Sequence, residues 1–459
     1  MRFITLMLLS LCLCGCASTK ASHQSPVAHT HNSVATVLLP DGQSFAANNM
    51  NTLAVWANYE KQQPAWQETK FLNAAAKRST YPLFTAVREA ALQYWSSLKG
   101  NAISYGDAAG ELVYRRMAAH ALNRWYGHPI AFQPKDIVFT VGGTTALHAI
   151  FFAIHHLYAA KKIVTPVPFY PVYTGYRAGG FRNHLHLVDL SNSGYRLTAQ
   201  ALQESLAGVA AHQIGAFLFC DPSNPTGFAV DLQQWQRIAQ VLAQYPEVPI
   251  VLDETYAALA FNNQHGSLLQ AAPDLQNRIV LLRSATKEFA AAGERLALVA
   301  TKHAAMAQKI IDFTAELYIH PPRSAQYVYA HALQAFSRSH SADLSRFYQT
   351  RNNYAYQLLQ QRGLQVNGKP HATFYLLANL KHLMGLALHP QAARVLRKTH
   401  IDSDVAIAYH LLFSQGVALA PLSFFGLDPQ AGILRITCCD DQKTLQMLIN
   451  RLPAATNSS

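Results

Sequence analysis

Between residues 137 and 300 the chain alternates short, nearly unbroken apolar runs with stretches long enough to form helices. The runs are Ile137 to Val141, Lys162 to Thr165, His184 to Val188, Ala216 to Cys220, Pro249 to Asp253, Ile279 to Ser284 and Leu296 to Ala300. Runs apolar at every position belong to strands buried on both faces, and strands separated by helices pair in parallel. The pattern predicts an α/β fold with a mainly parallel seven-stranded sheet between layers of helices. Upstream, Phe84, Val87, Ala91 and Tyr94 fall at helical spacing with Pro82 placed to open the helix, and a second amphipathic helix is predicted from Gly110 to about Tyr126. Beyond Pro321-Pro322 the pattern changes to one long helical stretch, Gln326 to Leu359, followed by strand-like Phe374 to Ala378, Val417 to Ala420 and Ile433 to Cys438. The expected division is an arm over 38–80, a large domain over 81–325 and a smaller α+β domain over 326–459.

The N-terminus has a different logic. Arg2 precedes an apolar run from Phe3 to Leu13, interrupted only by Thr5 and Ser10 and too short to span a bilayer comfortably. It ends in Leu13-Cys14-Gly15-Cys16, which resembles a bacterial lipoprotein signal cut before the cysteine. That resemblance implies a signal peptide over 1–16, a lipid anchor on Cys16 and a protein facing the periplasm, with residues 17–37 as a flexible Ser-, His- and Thr-rich tether. An uncleaved apolar start on a cytoplasmic protein is the alternative.

Composition narrows the partners. The chain has 459 residues, half of them apolar, enough for a large core and more than one lobe. Its 37 Lys and Arg against 25 Asp and Glu leave a net charge of +12, which favours anionic ligands. The charges are dispersed, without a basic run interleaved with aromatics or zinc-finger spacing, so no nucleic-acid partner is expected. Three of the six cysteines fall in the signal region, and Cys220, Cys438 and Cys439 sit in apolar runs as expected free thiols. The histidines, including His155-His156, lack a carboxylate or Cys at ligand spacing, and no metal site is expected.

Candidate chemistry gathers where the apolar runs end. Ser284-Ala-Thr-Lys287 follows one run, and Gly293-Glu294-Arg295 lies just beyond. A desolvated lysine near positive charge loses its proton readily and can form a Schiff base, while Ser284 and the guanidinium fork of Arg295 suit a phosphate. Gly142-Gly143-Thr144 opens a helix after the first run, a place where free backbone N–H groups also suit phosphate. Pro168-Phe169-Tyr170-Pro171-Val172-Tyr173 could wall a flat ring, and Asp221-Pro222-Ser223-Asn224-Pro225-Thr226-Gly227 holds Asn224 between two prolines. Asp253-Glu254-Thr255-Tyr256 ends the fifth run, where Asp253 could hold a protonated ring nitrogen and the Tyr256 phenol a neighbouring oxygen.

Asn-Pro-Thr-Gly, then Asp-Glu-x-Tyr, then Ser-x-x-Lys with Gly-x-Arg, in this order, resembles the class I/II aminotransferases, the pyridoxal-phosphate enzymes of fold type I. The resemblance covers roughly Tyr81 to the C-terminus. It implies pyridoxal 5′-phosphate as cofactor and an amino acid and a 2-oxo acid as substrates. It further implies that Lys287 is the Schiff-base lysine and proton shuttle, that Asp253 pairs with the pyridinium nitrogen, and that Asn224 and Tyr256 hydrogen-bond the phenolic oxygen. Tyr170 would stack on the ring, and Gly143, Thr144, Ser284 and Arg295 would hold the phosphate. Tyr105, in Ser-Tyr-Gly-x-x-x-Gly, matches a tyrosine that reaches the phosphate of a neighbouring subunit, implying a homodimer with shared sites. Arg435, in Leu-Arg-Ile-Thr, matches the arginine that clamps the substrate α-carboxylate, with Asn224 beside it.

The chain departs from the family pattern in several places. Pro421-Leu422-Ser423-Phe424-Phe425-Gly426 stands for Pro-Gly-Ser-x-Phe-Gly, Ala372-Thr373-Phe374-Tyr375 for Gly-x-Phe-Tyr, and Ala297 for a common glycine. The glycine motif of the family's N-terminal arm is not found. The same residues would also serve a lyase or cyclase acting on an amino acid, or a non-catalytic binding protein that kept the fold. The full set of Asn224, Asp253, Tyr256, Lys287, Arg295 and Arg435 argues against the binding protein, while the fate of the amine in the product separates transfer, the expected reaction, from elimination or ring closure.

Overall fold

The computed structural model describes residues 37–455 apart from 41–43, 46–48, 76–78, 160, 176–181, 264–265 and 367. The signal-like segment, Cys16 and nearly all of the expected tether lie outside the described residues.

All seven apolar runs form strands of one sheet: β1 (Ile137–Val141), β2 (Lys162–Val167), β3 (Leu185–Asp189), β4 (Ile214–Cys220), β5 (Ile250–Asp253), β6 (Ile279–Ser284) and β7 (Leu296–Thr301). Their order is β1-β7-β6-β5-β4-β2-β3. Every neighbouring pair is parallel except those of β7, which runs antiparallel to both β1 and β6. The two-residue period of a strand sorts the apolar side chains onto two faces. Phe217, Phe219, Ile250, Leu252, Ile279 and Leu281 belong to one core with Trp235 and Ile238. Leu218, Val251, Val280, Leu282 and Val299 belong to the other, with Ala146, Ile150, Met306 and Ile310.

The helices correct the sequence reading in three places. The first, α1 (Thr85–Ser97), begins after Phe84, so Pro82 lies ahead of it and not in its first turn. Phe84 instead packs against Phe289, Phe336 and His340. The next, α2 (Leu112–Tyr126), starts two residues later than expected, and α3 (Gly142–Leu157) follows β1 directly. After α4 (Ala304–Tyr318), the expected single long helix is two, α5 (Arg323–Ala335) and α6 (Arg338–Gln361). Ser337 breaks them by capping α6, its hydroxyl accepting from the His340 N–H at 3.4 Å while the His340 ring bonds the Ser337 N–H. The domain boundary placed at 325 falls inside α5, which packs on α1 and α2.

A second sheet carries β8 (Tyr375–Asn379), β9 (Ala420–Pro421) and β10 (Ile433–Thr437) in the antiparallel order β8-β10-β9. The arm is stitched to this part of the chain. Leu72–Asn73 pairs in parallel with Val417–Ala418, and the Thr437 N–H donates to the Ala74 carbonyl at 2.9 Å. Cys438 and Cys439 are buried, Cys220 is half-buried, and all three are free thiols. Among the described residues, no helix is long and apolar enough to cross a membrane.

Candidate active site

The sheet topology explains why the motifs meet. Asp253 pairs in register with Cys220 on one side and Leu282 on the other, so the carboxyl ends of β4, β5 and β6 line up. Because β7 is reversed, its first residue reaches the same edge: Leu296 pairs with Val141, and Ala297 with Ser284. Arg295, immediately before β7, is thereby set beside Gly142, immediately after β1.

Ser284 ends β6 and caps the one-turn helix Ala285–Glu288, its hydroxyl accepting from the Thr286 N–H at 3.2 Å. Lys287 lies on that turn, with its Nζ 5.3 Å from the centre of the Phe374 ring and 6.0 Å from that of Tyr256. Burial pushes its pKa down to about 8; the Cys439 thiol opposes this, and the Arg435 and Arg295 guanidiniums reinforce it. The turn is seated on buried charge. Arg283 donates to the Glu288 carboxylate at 2.5 Å and to the Tyr126 hydroxyl at 2.9 Å, Tyr126 donates to Glu254 at 2.6 Å, and Tyr329 donates to Glu288 at 3.1 Å. Such a pair is costly to break once one partner is gone, so it fixes the turn.

Asp253 is buried at the end of β5 and accepts from the Tyr173 hydroxyl at 2.8 Å and the Thr255 hydroxyl at 2.6 Å. Burial raises its pKa, while the Thr255 and Tyr173 hydrogen bonds hold it down. A cationic ring nitrogen would complete this carboxylate.

The phosphate candidates form a cradle. Gly142 has a left-handed φ of +79°, and a Cβ there would lie 2.5 Å from Arg295 Nη2, so only glycine admits the guanidinium this close. A Cβ on Gly143 would sit 3.6 Å from the Ser284 Cβ and 3.9 Å from the Thr255 hydroxyl. Thr144 hydrogen-bonds Tyr170, whose pKa is raised chiefly by burial. Arg295 is exposed, with one donor spent on the Ala292 carbonyl at 2.9 Å, and has no carboxylate partner among the described residues.

Arg435 defines the other end of the site. It is 6% exposed, with Nη1 donating to Asn224 Oδ1 and Nη2 to the Ala75 carbonyl, both at 2.7 Å, while its Nε has no partner. Its guanidinium lies 4.2 Å from the Tyr375 ring centre and 4.7 Å from that of Phe425. The Tyr375 hydroxyl in turn bonds that of Tyr256 at 2.9 Å. The variant loop Pro421 to Gly426 supports this wall: Asp404 accepts from the Ser423 N–H and hydroxyl, both at 2.7 Å, and a Cβ on Gly426 would strike the Phe169 ring at 2.4 Å. Burial lifts the Asp404 carboxyl to about 7 against those two hydrogen bonds.

Lys287, Asp253, Tyr256, Asn224, Tyr170, Gly143, Thr144, Ser284, Arg295 and Arg435 thus gather at one cleft. Tyr105 does not join them within the subunit: it is 80% exposed, with its ring against His320. Sequence reasoning missed Tyr173, Thr255, Tyr375, Phe425 and the Ala75 carbonyl. Tyr173 and Thr255 stood inside motifs already singled out, whereas a backbone carbonyl leaves no trace in a sequence. A cavity of about 270 Å³ adjoins the site; it touches Asn224 and Tyr173 but neither Lys287 nor Arg435.

A desolvated amine, a glycine, serine and arginine cradle, a buried carboxylate and a guanidinium without an anion fit an aldehyde cofactor with a ring nitrogen and a phosphate, as in the pyridoxal-phosphate enzymes of fold type I. Comparison with known proteins gives the same class. The chain belongs to the aminotransferase class I and II family, whose profile matches residues 70–452. It is 24% identical over 368 residues to a probable aspartate/prephenate aminotransferase of Rickettsia prowazekii, covering 79% of this chain and 86% of the relative. It is 25% identical over 369 residues to the putative aminotransferase YugH of Bacillus subtilis, covering 80% and 86%. The fold matches the crystal structure of the aspartate aminotransferase from Rhizobium meliloti with a TM-score of 0.73 at 19% identity, over 88% of this chain and 95% of that one. The protein is a pyridoxal-phosphate-dependent aminotransferase acting on amino acid and oxo acid substrates.

Only the neutral amine attacks an aldehyde, and Lys287 becomes neutral as pH rises through about 8. In cofactor-free protein, the rate of covalent capture of pyridoxal phosphate, followed by the visible band and by borohydride trapping, is expected to rise with pH and level off above that value. A midpoint near the ordinary 10.5 would show that the cleft does not desolvate the lysine.

Proposed function

We propose that the cleft transfers an amino group from an α-amino acid whose carboxylate is held by Arg435, with Lys287 as the base that moves the α-proton. The observation that carries this reading is the buried Arg435 guanidinium, hydrogen-bonded only to neutral oxygens and with an unspent Nε, facing a lysine whose amine is readily deprotonated. Arginine presents a planar fork that matches a carboxylate. With that carboxylate seated, the substrate's Cα–H would be offered to Lys287, whose amine interacts electrostatically with Arg435.

Pyridoxal phosphate supplies an aldehyde for the amino group and a ring that accepts the electron pair of the broken Cα–H bond. The protein's part is to hold and to move protons. Gly143, Thr144, Ser284 and Arg295 bind the phosphate through backbone N–H groups, hydroxyls and a guanidinium. Asp253, positioned by hydrogen bonds from Tyr173 and Thr255, would hold the ring-nitrogen proton. Asn224 and the Tyr256 hydroxyl bond the ring's phenolic oxygen, and Tyr170 covers the ring. Lys287 Nζ would take the proton from the substrate Cα and return it to the carbon that carried the cofactor's aldehyde, and the reverse sequence would aminate a 2-oxo acid.

Arg435→Gln removes the charge that receives the carboxylate. Loss of one partner of a buried charge pair costs about 2–5 kcal/mol, so kcat/KM for amino acids should fall by roughly one and a half to three and a half orders of magnitude. The fall should come mainly through KM in steady-state assays over a panel that includes aspartate and glutamate. An unchanged KM would remove Arg435 from the substrate seat.

We propose further that two copies share their sites through Tyr105. Exposed Leu92, Trp95, Tyr105, Leu112, Val113, Leu317 and Ile319 leave an apolar surface on α1, α2, the end of α4 and the loop between α1 and α2. In co-expressed Lys287→Ala and Tyr105→Ala subunits, the hybrid dimer should regain one intact site. No activity beyond that of the separate variants would place Tyr105 outside the partner's site.

The Leu13-Cys14-Gly15-Cys16 box supports a lipid anchor on Cys16. Radiolabelled fatty acid should enter the full chain and not a Cys16→Ser variant, whereas an unlabelled wild type would indicate a cytoplasmic enzyme.

A further inference from the structure

On the side of β6 away from the cleft, a second cavity of about 150 Å³ is lined by Arg124 and Trp125 of α2, Arg283 of β6, Leu333 of α5, and Phe336 and Arg338 at the junction between α5 and α6. Three guanidiniums line one small space. Arg283 is 1% exposed, and although its terminal nitrogens are spent on Tyr126 and Glu288, its buried Nε has no acceptor. An unsatisfied N–H on a buried cation is among the more expensive defects a fold can carry, and an acceptor at that point removes it.

The other two arginines are held by backbone and not by acids. Arg124 donates to the Leu333 and Gln334 carbonyls at 3.1 and 2.8 Å and to the Gln334 side chain at 3.3 Å. Arg338 donates to the Trp125 carbonyl at 2.6 Å, with its guanidinium 3.9 Å from the Trp125 ring centre. The Arg283 guanidinium lies 5.1 Å from the centre of the same ring. Among the described residues neither Arg124 nor Arg338 has a carboxylate partner, and the network behind Arg283 brings only Glu288 and, through Tyr126, Glu254. Three positive groups against two negative ones leave one charge in excess. Arg124 and Arg338 are exposed, so the cavity is reachable from solvent.

We propose that this cavity is a binding site for one small monovalent anion of the halide class, held between Arg283, Arg338 and Arg124. Its size excludes nucleotides and sugar phosphates. Its walls, Trp125, Leu333 and Phe336, favour a weakly hydrated ion over a strongly hydrated one. Water would fill the cavity but not offset the excess charge. The bound ion fastens the end of α2 to the start of α6.

The test uses the holoenzyme. Crystals soaked in sodium bromide should show an anomalous peak between Arg283 and Arg338. In solution, replacing sodium gluconate with sodium chloride at constant ionic strength should raise the thermal midpoint saturably, by roughly 1–4 °C. The rise should vanish in Arg338→Gln and weaken in Arg338→Lys, which keeps the charge without the fork. Arg124→Gln gives an independent check should the first variant not fold. Both variants leave Arg435 and Arg295 in place, so a rise of the same size in Arg338→Gln would assign the effect to the catalytic cleft and overturn the proposal. A cavity holding only water at high bromide would overturn it too.

Discussion

The site depends on making one amine easy to deprotonate in a place built to receive negative charge. Lys287 is desolvated by Phe374 and Tyr256, and the two guanidiniums that suit a phosphate and a carboxylate also disfavour its ammonium form. Anion binding and base strength therefore share one cause. Moving Arg295 or Arg435 away would weaken a grip on ligand and raise the proton affinity of the lysine together.

That arrangement holds because the groups around Lys287 are locked from behind. Asp253, Ser284 and Lys287 each have as chain neighbour a member of one buried polar network: Glu254, Arg283 and Glu288. Along these segments one residue addresses the cleft and the next the interior. The network is closed by hydroxyls of Tyr126, Tyr329 and Ser267, the last donating to Glu254 at 2.5 Å. A charged interior adds little net stability against a well-packed apolar one, but it narrows the orientations open to the chain. Here the residues so held are those that line the candidate active-site cleft.

Much of this was legible in the chain. The seven apolar runs are long and carry no competing period, so each became a strand of the predicted sheet, with ends displaced by at most two residues. The motifs were legible for a related reason: they end strands, and strand ends in an open sheet converge. What stayed hidden depends on tertiary context. The break at Ser337 is a capping choice inside an otherwise helical pattern, and Pro82 reads as a helix opener until Phe84 is seen packed on Phe289. The reversal of β7, which delivers Arg295, cannot be read from a run that looks like its parallel neighbours.

The Ala75 carbonyl that holds Arg435 belongs to the arm, while Arg435 itself lies on the last strand of the second sheet. Within one subunit the candidate phosphate cradle and Asp253 come from residues 142 to 295 and do not involve the arm. The two candidate seats thus draw on different stretches of the chain: the groups that suit the cofactor come mostly from its middle, whereas the groups that suit a carboxylate join the arm to the last strand of the second sheet. Loading and selectivity are, in that sense, properties of different parts of the polypeptide.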